Sequence, residues 1–111
     1  MGILKLRSHQ WVDARSLELA RAIAAKVAAE PSYLDRVRAT LTRWKQNRAS
    51  WPSALQEWED LLAKASLETV LALLTEDSEE GCRRRQSSPF TGILTEKERR
   101  EVFSKYEKIG A

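Results

Sequence analysis

One cysteine and one histidine stand among the 111 residues. A lone Cys82 cannot close an internal disulfide, so a disulfide-stapled scaffold is excluded. Zinc signatures need several Cys or His at fixed spacings, and His9 and Cys82 cannot supply them. The four glycines are isolated, which removes any Gly-rich phosphate loop. No stretch reaches the roughly 18 apolar residues that a bilayer span requires. The start, Met1 to Arg7, is broken by Lys5 and Arg7, unlike a signal peptide. Leu6 stands where myristoylation after Gly2 favours Ser or Thr. These absences give an expectation of a cytoplasmic protein with no membrane contact. No segment shows the strict alternation of a strand, and only three prolines punctuate the chain.

What the chain has in quantity is amphipathic helix pattern. Leu19, Ile23 and Val27 recur at steps of four, flanked by Ala20, Ala24 and Ala28, which predicts a helix from about Val12 to Ala29. Pro31 stops it, because the residue before a proline avoids the α region. Ser32 with Asp35 reads as the cap of a second helix, whose face is Leu34, Val37, Leu41 and Trp44. A third helix starts near Pro52, with Trp51, Leu55, Trp58 and Leu62 on one face. Ser66 caps a fourth, shorter one carrying Leu67, Val70, Leu71 and Leu74, with Leu73 off the stripe. Trp44, Trp51 and Trp58 are expected inside, whereas Trp11 is the candidate for an interface.

The run Thr75 to Glu80 is acidic and is followed at once by Arg83, Arg84 and Arg85. A short helix from about Asp77 matches the macrodipole, although Gly81 in its middle opposes it. Gln86 to Leu94 reads as an extended loop with three large apolar residues. Thr95 with Glu98 is a capping box for a last helix bearing Val102, Phe103 and Tyr106. The expected architecture is all-α: a bundle of three to four helices over residues 1–80 and a C-terminal arm, loop plus helix, over 81–111.

Reactive groupings are sparse, and the expectation is no enzyme, no cofactor and no metal. His9 and Cys82 are far apart in sequence, and a Cys–His pair needs an orienting third group. Arginines beside Cys82 could lower its pKa, but an ordinary thiol on a helix face is the simpler account. Two surfaces remain. One is the second helix, where Arg36, Arg38, Arg43, Lys45 and Arg48 occur in a stretch, Arg36 to Gln56, that holds no acid. Such a face could track phosphates, giving a nucleic-acid-binding regulator, or it could be an ordinary solvated face. The other is the arm, where Arg83, Arg84, Arg85, Phe90, Ile93, Leu94, Phe103 and Tyr106 combine residue types that binding hot spots favour. Either these residues wrap a partner, or Phe90, Ile93 and Leu94 cover the open end of the bundle.

Val12-Asp13-Ala14-Arg15-Ser16-Leu17, Arg43-Trp44, Thr75-Glu76-Asp77-Ser78 and above all Gln86-Ser87-Ser88-Pro89-Phe90 with Gly92 resemble a group of small bacterial helical proteins encoded beside toxin-like genes. The resemblance spans most of the chain and implies an antitoxin that masks a cognate toxin protein, with operator DNA as a further partner and self-association left open. A second antidote style, the inhibitory helix that restrains Fic-type AMP-transferases, is not matched. Thr75 and Glu79 have its first spacing, but Glu80 stands where a small residue is required.

Overall fold

Helix-forming sequence dominates the chain, and helix is what forms. The computed structural model describes the backbone of residues 2–110 and the side chains of residues 14–105. Among the described residues there are six helices and no strand: α1 (Gly2–Ala29), α2 (Tyr33–Gln46), α3 (Ser53–Lys64), α4 (Leu67–Leu74), α5 (Glu79–Gln86) and α6 (Glu96–Gly110). At 1.5 Å per residue α1 is about 42 Å long. It accounts for the longest dimension of the molecule, 43 Å. The periodicity beginning at Val12 understated it by ten residues, because the apolar stripe is legible only in its second half.

The helix ends follow from a few side chains. Ser66 Oγ accepts from the Thr69 amide at 3.2 Å, and Ser78 Oγ accepts from the Gly81 amide at 3.0 Å. The Thr95–Glu98 box is reciprocal: the Thr95 amide donates to Glu98 Oε1 at 2.8 Å and the Glu98 amide to Thr95 Oγ1 at 3.1 Å. Ser32 departs from expectation. It lies in the helical region (φ −59°, ψ −20°) and makes no side-chain cap, since the turn after Pro31 already runs helically and Asp35 pairs with Arg38. Pro52 stands one position earlier than predicted, as the extended residue before Ser53.

The core draws on α1 to α4. Ala20 and Val27 of α1, Val37 and Leu41 of α2, Leu55, Trp58 and Leu62 of α3, and Val70 and Leu74 of α4 form one cluster. It is completed by Phe90 and Ile93, from the segment between α5 and α6. Phe90 is 0 % exposed, and its ring meets Trp58 edge-on, centroids 5.6 Å apart and planes at 68°. Such a pair contributes about 0.5–1.5 kcal/mol beyond its area. α5 and α6 both pack on α1, and α5 also packs on α4. The segment expected to extend instead turns back: the Phe90 amide donates to Ser88 Oγ at 3.2 Å, and Gly92 takes φ +84°, which suits a residue without Cβ.

Candidate partner-binding surfaces

The three arginines of α5 end in three different places. Arg84 is only 8 % exposed; its guanidinium pairs with Glu76 at 2.5 Å and also donates to the Leu73 carbonyl. Arg85 Nη1 donates to the carbonyls of Leu74 at 3.1 Å and Glu76 at 2.8 Å, tying α5 to the end of α4. Its Nε is buried without a partner among the described residues. Arg83 alone faces outward. It holds Glu57 of α3 through two hydrogen bonds of 2.9 and 3.1 Å, and Glu80 at 2.8 Å.

These contacts set the local electrostatics. Hydrogen bonds from Ser78 and then Arg84 hold the Glu76 carboxyl below its ordinary range, and Arg83 does the same for Glu80. Glu57 and Glu80 together keep the Arg83 guanidinium firmly charged. Glu98 is pushed down to about 2, first by the Lys26 ammonium at 2.7 Å and then by the Thr95 amide.

The apolar members of the arm have a different fate from the one expected of exposed anchors. Phe90, Ile93 and Leu94 are 0, 3 and 8 % exposed and belong to the chain's own interior. In this conformation none of the three can touch a partner. Trp58 explains the arrangement: its indole N–H donates to the Arg84 carbonyl at 2.9 Å, locking α3 to the end of α5 and directing the chain inward. Phe103 is half-buried, with Arg15 at 4.9 Å and Arg99 at 5.8 Å from its ring centroid. The Tyr106, Trp11 and His9 side chains lie outside the described residues.

On α2 and the turn after it all five basic residues named from the sequence are exposed. Two of them serve the fold: Arg38 pairs with Asp35 and donates to the Leu62 carbonyl, and Lys45 pairs with Glu59 and lies over the Trp51 ring. Arg36 rests near its own Tyr33 ring, at 5.7 Å. Among the described residues, Arg43 and Arg48 have neither a carboxylate nor a ring partner.

Two concavities mark the surface of the described residues. A shallow depression of about 840 Å³ runs along α3, with Trp51, Leu61 and Ala65 as its apolar part and Gln56, Glu57 and Asp60 among its polar ones. Trp51 is half-buried, and its indole N–H is buried without an acceptor among the described residues. Sequence periodicity assigned Trp51 to the core and missed this; a donor at the edge of a loop has no signature in spacing. The second cleft, about 720 Å³, lies between α1 and α5 and includes Cys82, Asp77 and Arg85. Among the described residues no cluster of His, Cys, Asp or Glu is placed to hold a metal ion, and no helix is long and apolar enough to cross a membrane. No protein-family model, no curated protein and no solved structure matches this chain.

Proposed function

We propose that this chain is an antitoxin-like protein of the bacterial cytoplasm, which binds a cognate toxin protein and neutralises it by covering its active surface. On this reading α1 to α4 form the bundle, and the described residues from 81 onward are an arm folded back over it, not one held out. The resemblance carried by Gln86-Ser87-Ser88-Pro89-Phe90 then reflects how the fold closes more than how the partner is gripped.

The observation that carries the proposal is the α3 depression. Trp51 and Leu61 are half-buried apolar side chains on an open surface, and tryptophan is among the residues that dominate binding energy. An indole N–H buried without an acceptor costs about 1–3 kcal/mol. A partner that reorients this ring and offers it a carbonyl oxygen recovers that cost on binding. Glu57, which lines this surface, is held by Arg83, an arm residue that the sequence selected.

The test is co-purification of the adjacent gene's product with the tagged full-length chain. Leu61→Glu places a charge and Gln56→Arg bulk in the depression; Leu61 also packs against the core, whereas Gln56 does not, so Gln56→Arg is the variant that leaves the interior untouched. The expected result is at least a tenfold loss of partner affinity in both, with helix content by circular dichroism unchanged. Unaltered affinity in both variants overturns the proposal.

A further inference from the structure

We propose that the cleft between α1 and α5 binds a free α-amino acid with an apolar side chain. This goes beyond the toxin-binding reading and uses a different part of the molecule. The cleft, about 720 Å³, has the size of a small-molecule site, for which roughly 300–1,000 Å³ is usual. Arg85 borders it. One side of the Arg85 guanidinium is committed, since Nη1 donates to the Leu74 carbonyl at 3.1 Å and to the Glu76 carbonyl at 2.8 Å. The other side, Nε with Nη2, has no partner among the described residues, and Nε is buried. Nε and Nη2 form the fork that takes a carboxylate in two parallel hydrogen bonds. The fold therefore fixes this group by one edge and leaves vacant the edge that recognises a planar oxyanion.

The remaining walls decide which oxyanion fits. Asp77 and Glu79, both exposed, line the same cleft. Neither meets a cation within 4 Å among the described residues. Asp77 directly follows Glu76, whose carbonyl accepts from Arg85, so a negative group and the fork are near neighbours. The third arginine of α5 at the cleft, Arg83, is held by Glu57 and Glu80. Two free carboxylates repel a phosphate or sulfate, and the guanidinium repels a metal ion. A suitable ligand carries both signs close together.

A free α-amino acid does so, because its ammonium and carboxylate share one carbon, whereas a peptide chain separates them. Arg85 takes the carboxylate, and Asp77 and Glu79 take the ammonium. Ala14, Leu17 and Cys82 supply an apolar wall for the side chain. Because α1 and α5 come from distant parts of the sequence, a ligand seated between them binds the folded chain alone and stabilises it.

The experiment is isothermal titration of the isolated full chain with L-leucine, with the melting temperature followed in parallel. No second protein takes part, so failure here leaves the α3 surface untouched, and the reverse. L-Leucine is expected to bind with a Kd on the order of 0.1 mM and to raise the melting temperature. 4-Methylpentanoate, which lacks the ammonium, and L-leucinamide, which lacks the carboxylate, should each bind at least tenfold more weakly. Asp77→Asn combined with Glu79→Gln changes two exposed positions and should lower affinity for L-leucine at least tenfold with helix content unchanged. Arg85→Lys keeps the charge without the fork and should do the same. Arg85 also ties α5 to α4, so the Asp77 and Glu79 variant decides if Arg85→Lys does not fold. No binding at about 10 mM L-leucine, roughly 100 times the expected Kd, would overturn the proposal. So would equal binding of either truncated analogue, or unchanged affinity in the Asp77 and Glu79 variant.

Discussion

Replacing Phe90 by alanine tests whether the C-terminal segment completes the core or merely rests on it. Phe90 is 0 % exposed, stacks edge-on against Trp58, and belongs to the same cluster as Val27, Val37 and Val70. A fully buried Phe→Ala change costs roughly 3–5 kcal/mol, from lost transfer energy plus the residual cavity. Domains of this size have a total stability of about 5–15 kcal/mol, so the variant keeps its fold with little to spare. With a urea slope of about 1.5 kcal/mol/M, the unfolding midpoint should fall by roughly 2–3 M. The assay is urea denaturation followed in parallel by circular dichroism and by tryptophan fluorescence, which reports Trp58 directly. Coincident transitions at the lowered midpoint are expected. A loss below about 1 kcal/mol would mean that Phe90 is not part of the cooperative unit, and the closure of the fold by residues 87–94 would be refuted. For the same reason, a chain cut after Glu80 is a poor probe of binding: it removes Arg84, Phe90, Ile93 and Leu94 from the interior together.

Three further expectations follow from the same contacts. Trp58→Phe removes the hydrogen bond to the Arg84 carbonyl, which still accepts from the Ser87 amide, so the cost should be about 0.5–1.5 kcal/mol for the bond plus about 1 kcal/mol for the void; both are read from thermal melts. Gly81→Ala would bring a Cβ to the Glu76 carbonyl oxygen, which forces backbone to move and should cost on the order of 1–3 kcal/mol, whereas Gly92→Ala meets open space and should lose only about 1–2 kcal/mol to its positive φ. Glu98 has its pKa depressed from 4.5 to about 2 by Lys26 and Thr95, so its contribution is complete above about 4.5 and is lost as pH falls toward 2. Acid unfolding of wild type should steepen in that window, and Glu98→Gln should flatten the profile there.

How much of this was legible depended on whether the signal was local. Pro31, Pro52, Ser66 and the Thr95–Glu98 box are decided within a few residues, and the limits of α2, α3 and α4 fall within two residues of the expected ones. Ser78 caps α5 with Glu79 and Glu80 in its first turn and arginines in its last, as the macrodipole pattern anticipated in spite of Gly81. The destination of the arm was not legible. Nothing in Arg83-Arg84-Arg85 marks the middle residue for burial, because its partner Glu76 lies across a turn and the Trp58 hydrogen bond joins residues 26 apart. The same holds for the surface around α2. Composition gave five basic residues as one group, while only the tertiary contacts of Arg38 with the Leu62 carbonyl and of Lys45 with Glu59 divide them into two used by the fold and three left outward.

The inward turn of Pro89 and Phe90 also has a temporal side. A ribosome delivers α1 to α4 before Phe90, so the ring that meets Trp58 edge-on emerges many residues after it. Until then Trp58 lacks this partner and the cluster it shares with Val27 and Leu74 is incomplete, and exposed apolar surface of this kind is what proteases and chaperones recognise. Cellular lifetime of this protein should therefore be governed by how fast residues 87–94 seat, so that weakening that seating shortens survival even where every outer surface is left intact.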